Sequence, residues 1–403
     1  MMKSSIDRLK EYQIKSGYTP FQMDQIEHII SRVLPSFLSS KEKEYYKNSM
    51  LEEFRNMLEQ RPTEYQNPST YSLLRGLFLR IESSAIKLSK DNDFTFPQKL
   101  TYGTASIQAF TAFVNDSNQS KDYLMLISDE MFTFANLLAK SIGNLTISSS
   151  STPEAWAYCF QETHIAQALR NNHDTVLRFA DLILAYAITN CASQAQQYNL
   201  NSQEQIAITN LIRDSFELFV VGHEYSHLLL GHLQGDHDTS SEKHYVQLND
   251  EKIELIITNW SQEVNADILA AHLAIIAQKG YDFASAYVGV DYCLIALIIL
   301  ERLETHLKGN RIVPVTHPSA EIRREMVFDE LVKIEPNIGG LYKSNTFIID
   351  ELWNRCMYLV QQLNKMTDQL LHLPLTRVPY RFTQNILYRI GDVMLTEYDK
   401  EHT

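Results

Sequence analysis

Cysteine is scarce in this chain of 403 residues, and its four copies, Cys159, Cys191, Cys293 and Cys356, stand far apart with no CxxC pair. That spacing fits free thiols in a reducing compartment better than a disulfide framework or a cysteine zinc site. Basic residues are outnumbered, 36 against 49 acidic ones, for a net charge of −13. Phosphate backbones and anionic lipid surfaces call for the opposite balance, so no nucleic-acid partner is expected. Long hydrophobic runs are missing too. The most apolar stretch, YCLIALIIL at 292–300, is bracketed by Asp291 and Glu301, whereas a bilayer span takes about 20 apolar residues. The opening residues, MMKSSIDRLKEYQIKSGY, lack the apolar stretch of a secretory leader. These features predict a cytoplasmic protein without a membrane span.

Glycine and proline are few, 13 and 11, and the stretches between them place apolar residues at three- and four-residue spacing. This pattern predicts a mainly α fold with few short strands. Helices are expected near 21–39, 41–60, 68–90, 120–141, 153–171, 173–198, 203–233, 251–279, 284–307, 319–334, 346–370 and 382–398. Short strands are expected at 244–248 and 311–315. A loop surrounds Pro97, and the segment before Pro318 reads as extended, because residues preceding proline avoid the helical region. The serine-rich GNLTISSSSTPEAW at 143–156 reads as a linker. It suggests an N-terminal helical region, 1–150, serving as cover, recognition element or scaffold. A core at 151–335 follows, with a C-terminal helical segment, 336–403, packing on it.

What the chain does contain, within VVGHEYSHLLLGH from Val220, is the pattern H-E-x-x-H: His223, Glu224 and His227. The upstream run IAITNLIRDSFELFVV has no glycine or proline, which places the motif inside a helix. Residues four apart on a helix share a face, so both imidazoles can point at one zinc ion. Glu224 then stands beside the first ligand as general base toward a zinc-activated water. The plainer reading is a partly buried helix with two satisfied histidines and a surface glutamate. Against it, His, Glu and His between FVV and LLL would be costly without partners.

A catalytic zinc needs a third protein ligand and an open position. Gly231 and His232 sit at the wrong offsets for a histidine-rich extension of the motif. SQEVNADILAAHLA offers Glu263 as ligand, with Asp267 one turn later as an acceptor that orients a histidine through its other ring nitrogen. Alternatively, the two carboxylates form a solvated edge near a helix start, where negative charge is favourable. His232 falls five residues after His227, off the zinc-facing direction. His237, His244 and His272 are likewise left unassigned.

HEYSH at 223–227, EVNAD at 263–267 and HPSAEIR at 317–323 resemble, in order and spacing, three motifs of the HtpX and CAAX-prenyl-endopeptidase group of gluzincin metallopeptidases. The resemblance covers residues 210–330. It implies a zincin-like core in which His223, His227 and Glu263 bind Zn2+ and Glu224 is the base. His317 and Arg323 would lie close by, stabilising the tetrahedral intermediate or bracing the ligands. For HPSAEIR the alternative is a helix start capped by Thr316 or Ser319, with Arg323 solvated. That group is mostly membrane-embedded, which departs from this chain. GHEYSHLLLGH following a large helical region also resembles the Lit-type phage-exclusion peptidases. That resemblance implies a bacterial protease acting on elongation factor Tu when a phage peptide signals infection. A protein or peptide substrate, an activating or regulatory partner and a role in antiviral defence follow from it. A competing reading is a helical interaction or sensor module whose zinc site is structural or inactive. A third is zinc-dependent hydrolysis of a non-peptide amide.

Overall fold

The structure is a computed structural model. It describes residues 4–23, 26–27, 30–31, 34, 38–107, 111–114, 122–149, 156–158, 161–233, 244–248, 251–255, 260–308 and 318–402. The chain is mainly helical, with three small sheets among the described residues. It folds into two units, Met1–Asp129 with Glu224–Ile257, and Glu130–His223 with Thr258–Thr403. This grouping is discontinuous and differs from a division at 150 and 335.

The first unit carries α1 (Ser5–Lys15), α2 (Ser40–Gln60) and α3 (Pro68–Leu88), then β1 (Lys99–Thr104), β2 (Thr111–Val114) and β3 (Asp122–Ile127). β3 lies in the middle of the sheet, parallel to β1 and antiparallel to β2. Tyr123 to Ile127 are all buried. That explains why a helix expected over 120–141 begins only at Asp129. A strand covered on both faces shows an unbroken apolar run, and periodicity cannot tell such a run from a buried helix. α1 lies outside the expected helices because its buried positions, Ser5, Arg8, Leu9 and Gln13, are mostly polar, so no apolar stripe marks it. Leu9 packs with Ala105, Ile107, Leu124 and Leu126. A Cβ at Gly103 would lie 2.6 Å from Leu9 Cδ2, so glycine there leaves room for the Leu9 side chain of α1 over β1.

The second unit is a helical bundle. It starts with α4 (Asp129–Thr146), whose first residue closes the other unit, and the β4–β5 hairpin (Ile147–Ser149 with Trp156–Tyr158). Of the segment read as a serine-rich linker, 143–146 closes α4 and Ile147–Ser149 pairs with Trp156–Tyr158, and the helix expected from 153 begins at Glu162. Next come α5 (Glu162–Asn171) and α6 (His173–Thr189). α6 stops short of the expected 198 because Asn190 adopts the left-handed conformation, φ 54°, and caps it. α7 (Gln203–Leu229) begins at a capping box. Ser202 Oγ accepts the Gln205 N–H at 3.1 Å, and the Gln205 side chain accepts the Ser202 N–H at 3.3 Å.

The hairpin β6 (His244–Leu248) and β7 (Glu251–Leu255) belongs to the first unit. β6 matches the strand expected at 244–248, while β7 replaces the start of a helix expected over 251–279. α8 runs only over Trp260–Ala277, followed by α9 (Phe283–Lys308), α10 (Ala320–Leu331), α11 (Ile338–Leu371) and α12 (Tyr380–Glu401). α8, α9 and α10 pack on one another, and α11 and α12 pack on α6. A Cβ at Gly289 of α9 would lie 2.5 Å from the Ile212 carbonyl of α7. Only glycine lets these two backbones meet, and this close approach fixes α7 in the bundle. Among the described residues, α9 alone is long and apolar enough to cross a membrane, and most of its apolar stretch is buried in the protein. Cys191, Cys293 and Cys356 are free thiols. Cys159, His317 and the strand expected at 311–315 lie outside the described residues.

Candidate metal centre

α7 carries His223, Glu224 and His227 one turn apart, and buries Glu224 and His227. α8 supplies Glu263 in its first turn and Asp267 one turn on, with 5 % and 0 % of their surfaces exposed. They do not form a solvated edge. One ligand atom from each of His223, His227 and Glu263 lies within 4.8 Å of the others. His223 Nε2 stands 3.6 Å from Glu263 Oε2, too far for a hydrogen bond. Two atoms each 2.0–2.1 Å from one tetrahedral zinc would be about 3.4 Å apart. The pair is thus already near that spacing, and the group as a whole closes by no more than about 1.4 Å.

The other ring nitrogen, His223 Nδ1, lies 2.8 Å from Asp267 Oδ1. Asp267 in turn accepts two hydrogen bonds from Arg323 of α10, Nε to Oδ2 at 2.7 Å and Nη2 to Oδ1 at 2.8 Å. Ser319 caps α10, its side chain accepting the Ile322 N–H. Arg323, one turn in, is therefore not solvated. Two of its donors are directed at Asp267.

Electrostatics follow from these distances. Burial pushes the His223 pKa down, but the carboxylates of Asp267 and Glu263 outweigh it and hold the imidazole above its ordinary value. Burial pushes Asp267 up, yet Arg323 and His223 pull it down to about 2. Burial likewise lowers Arg323, and Asp267 more than restores it. The buried carboxylates of Glu263 and Asp267 thus face one clamped arginine. A divalent cation offsets the remaining negative charge, which burial would otherwise penalise. Two imidazoles and a carboxylate are also a donor set that zinc accepts.

The structure therefore brings together His223, His227 and Glu263, sets Asp267 behind His223, and sets Arg323 behind Asp267. Glu224 is on the motif helix beside His223, while His317 lies outside the described residues. A further residue joins the group unannounced. His232 Nδ1 lies 3.0 Å from His227 Nδ1, and both side chains are buried. Counting five residues along a helix points His232 away from zinc, but the helix ends before it. The signal was Gly231, which turns the chain back at φ +70°. Comparison with protein-family models, with curated proteins and with solved structures finds no match for this chain.

Proposed function

We propose that this protein is a zinc-dependent endopeptidase acting on a protein or peptide substrate. The observation that carries the reading is the convergence of His223, His227 and Glu263 on one point, with Glu224 on the same helix. These three residues would hold the ion. When bound, zinc supplies Lewis acidity, lowering the pKa of water to about 7 and polarising a carbonyl. The remaining work falls to the chain. Glu224 takes the proton of the attacking water and delivers it to the leaving amine. Asp267, fixed by Arg323, holds the His223 ring with Nε2 turned toward Glu263, where the two would share the ion. The chemistry suits a neutral amide, and the resemblance to gluzincin peptidases favours a peptide bond. The antiviral role rests on the Lit-type resemblance alone.

The test is zinc content per chain, together with cleavage of a peptide library read by mass spectrometry. We expect one zinc in the wild type, and little in His223→Ala or Glu263→Ala. Glu224→Gln should keep the metal while cleavage falls by about 10²- to 10⁴-fold. Full zinc retention in Glu263→Ala would move the third ligand elsewhere. Unchanged binding of a partner protein by a Glu224→Gln variant, with no cleavage by the wild type, would favour the interaction module.

A further inference from the structure

We propose that His232 is a positioning residue of the metal centre, holding the His227 ring through a histidine-to-histidine hydrogen bond. The inference rests on the metal-centre reading and adds a residue to it.

The placement of His232 follows from how α7 ends. Its last turn closes as a Schellman motif. The Gly231 N–H donates to the Leu228 carbonyl at 3.1 Å, and the His232 N–H donates to the His227 carbonyl at 3.0 Å. Gly231 is the left-handed residue that this motif requires, at φ +70°. The reversal returns His232, the residue after Gly231, to the turn that carries the second motif histidine. The backbone thus ties His232 to His227, and the side chains meet again. Their Nδ1 atoms are 3.0 Å apart and their rings lie edge to face, with centroids 5.2 Å apart. His227 is 4 % exposed and His232 9 %, so the bond is shielded from water.

Two imidazole nitrogens at this distance must share one proton. With Nδ1 turned to His232, His227 would offer Nε2 to a metal, and its ring proton on Nδ1 would then be donated to His232 Nδ1. The second ring thereby fixes the tautomer and orientation of the ligand, the task that a carboxylate or carbonyl usually performs. The two ligand histidines are supported differently: His223 by the anionic Asp267, His227 by a neutral ring. In a group already holding Glu224, Glu263 and Asp267, a neutral acceptor orients His227 without adding a fourth negative charge.

The test measures zinc affinity by chelator competition and the visible spectrum of the Co2+-substituted full chain. The wild type is compared with His232→Asn, His232→Leu and Gly231→Val. Asparagine can place its Oδ1 near the position of Nδ1 and accept the same proton, whereas leucine fills space only. We expect His232→Asn to bind zinc within a few-fold of wild type with an unchanged cobalt spectrum. His232→Leu should lose about 10- to 100-fold in affinity and alter the spectrum, while the circular dichroism of the zinc-free protein stays the same. Gly231→Val keeps the imidazole but disturbs its placement, and should reproduce the loss even if the leucine variant does not fold. Wild-type affinity in His232→Leu, or an equal loss in His232→Asn and His232→Leu, would overturn the proposal while leaving the metal centre standing. A wild-type protein that binds no zinc would overturn both.

Discussion

Arg323 and Arg324 are neighbours on α10, and each grips a buried aspartate with two N–H groups. Arg323 holds Asp267 of α8 at 2.7 and 2.8 Å. Arg324 holds Asp291 of α9 at 2.7 and 2.9 Å. The local chemistry is the same, and what lies beyond each carboxylate differs. Asp267 faces the ring of His223. Asp291 accepts from the Asn345 amide at 2.8 Å, while Arg324 also lies over the Tyr342 ring. One clamp ends on a candidate ligand, the other inside the packing of α9, α10 and α11. An arginine–aspartate pair becomes part of a site through the next contact along the chain of interactions, since its own geometry is nearly the same in both places.

The largest effect should come from leaving either aspartate buried without its partner. Arg323→Met and Arg324→Met are each expected to cost about 3–5 kcal/mol of stability, read from urea midpoints of zinc-free protein. Only Arg323→Met should also weaken zinc binding, and an equal weakening in Arg324→Met would abolish the distinction between the clamps. Next in size, Asp267→Asn should lower zinc affinity by about 10- to 100-fold, whereas Asp291→Asn should leave it unchanged.

The clamp at Asp267 also has an acid signature. Its folded pKa, about 2, lies below the unfolded value of about 3.9, so the folded state binds the proton less readily. The stabilisation, on the order of 2 kcal/mol, is complete above about pH 5 and fades as pH falls toward 2. The stability gap between wild type and Asp267→Asn should narrow over that window, and a gap that stays constant would contradict the assignment. The smallest effect belongs to Ser319→Ala, which removes the cap of the helix bearing both arginines. It should cost about 1 kcal/mol, with zinc affinity within a few-fold of wild type.

Several of these parts are legible in the sequence alone. Helices such as α7, α9 and α11 announce themselves by length and by apolar residues at three- and four-residue spacing, and the spacing of His223 and His227 is a property of any α-helix. β3 was hidden because DYLMLI is apolar almost throughout and buried from Tyr123 to Ile127. β7 reads as the start of α8, and its pairing with β6 turns it into a strand. Asp267 could be placed behind a histidine from its one-turn offset to Glu263. The resemblance of HPSAEIR singles out Arg323 over Arg324, but nothing in the local pattern pairs it with Asp267. His232 was discounted by helical spacing, which ceases to apply at Gly231.

By itself, the sequence determined the helical class and the shared face of His223 and His227, since each depends on residues within a few positions of one another. Only the tertiary structure decided which carboxylate meets His223, which arginine secures that carboxylate, and that LMLI is a strand. Those choices depend on burial and on packing between distant segments, such as the glycine-permitted approach of α9 to α7, and no local pattern encodes them.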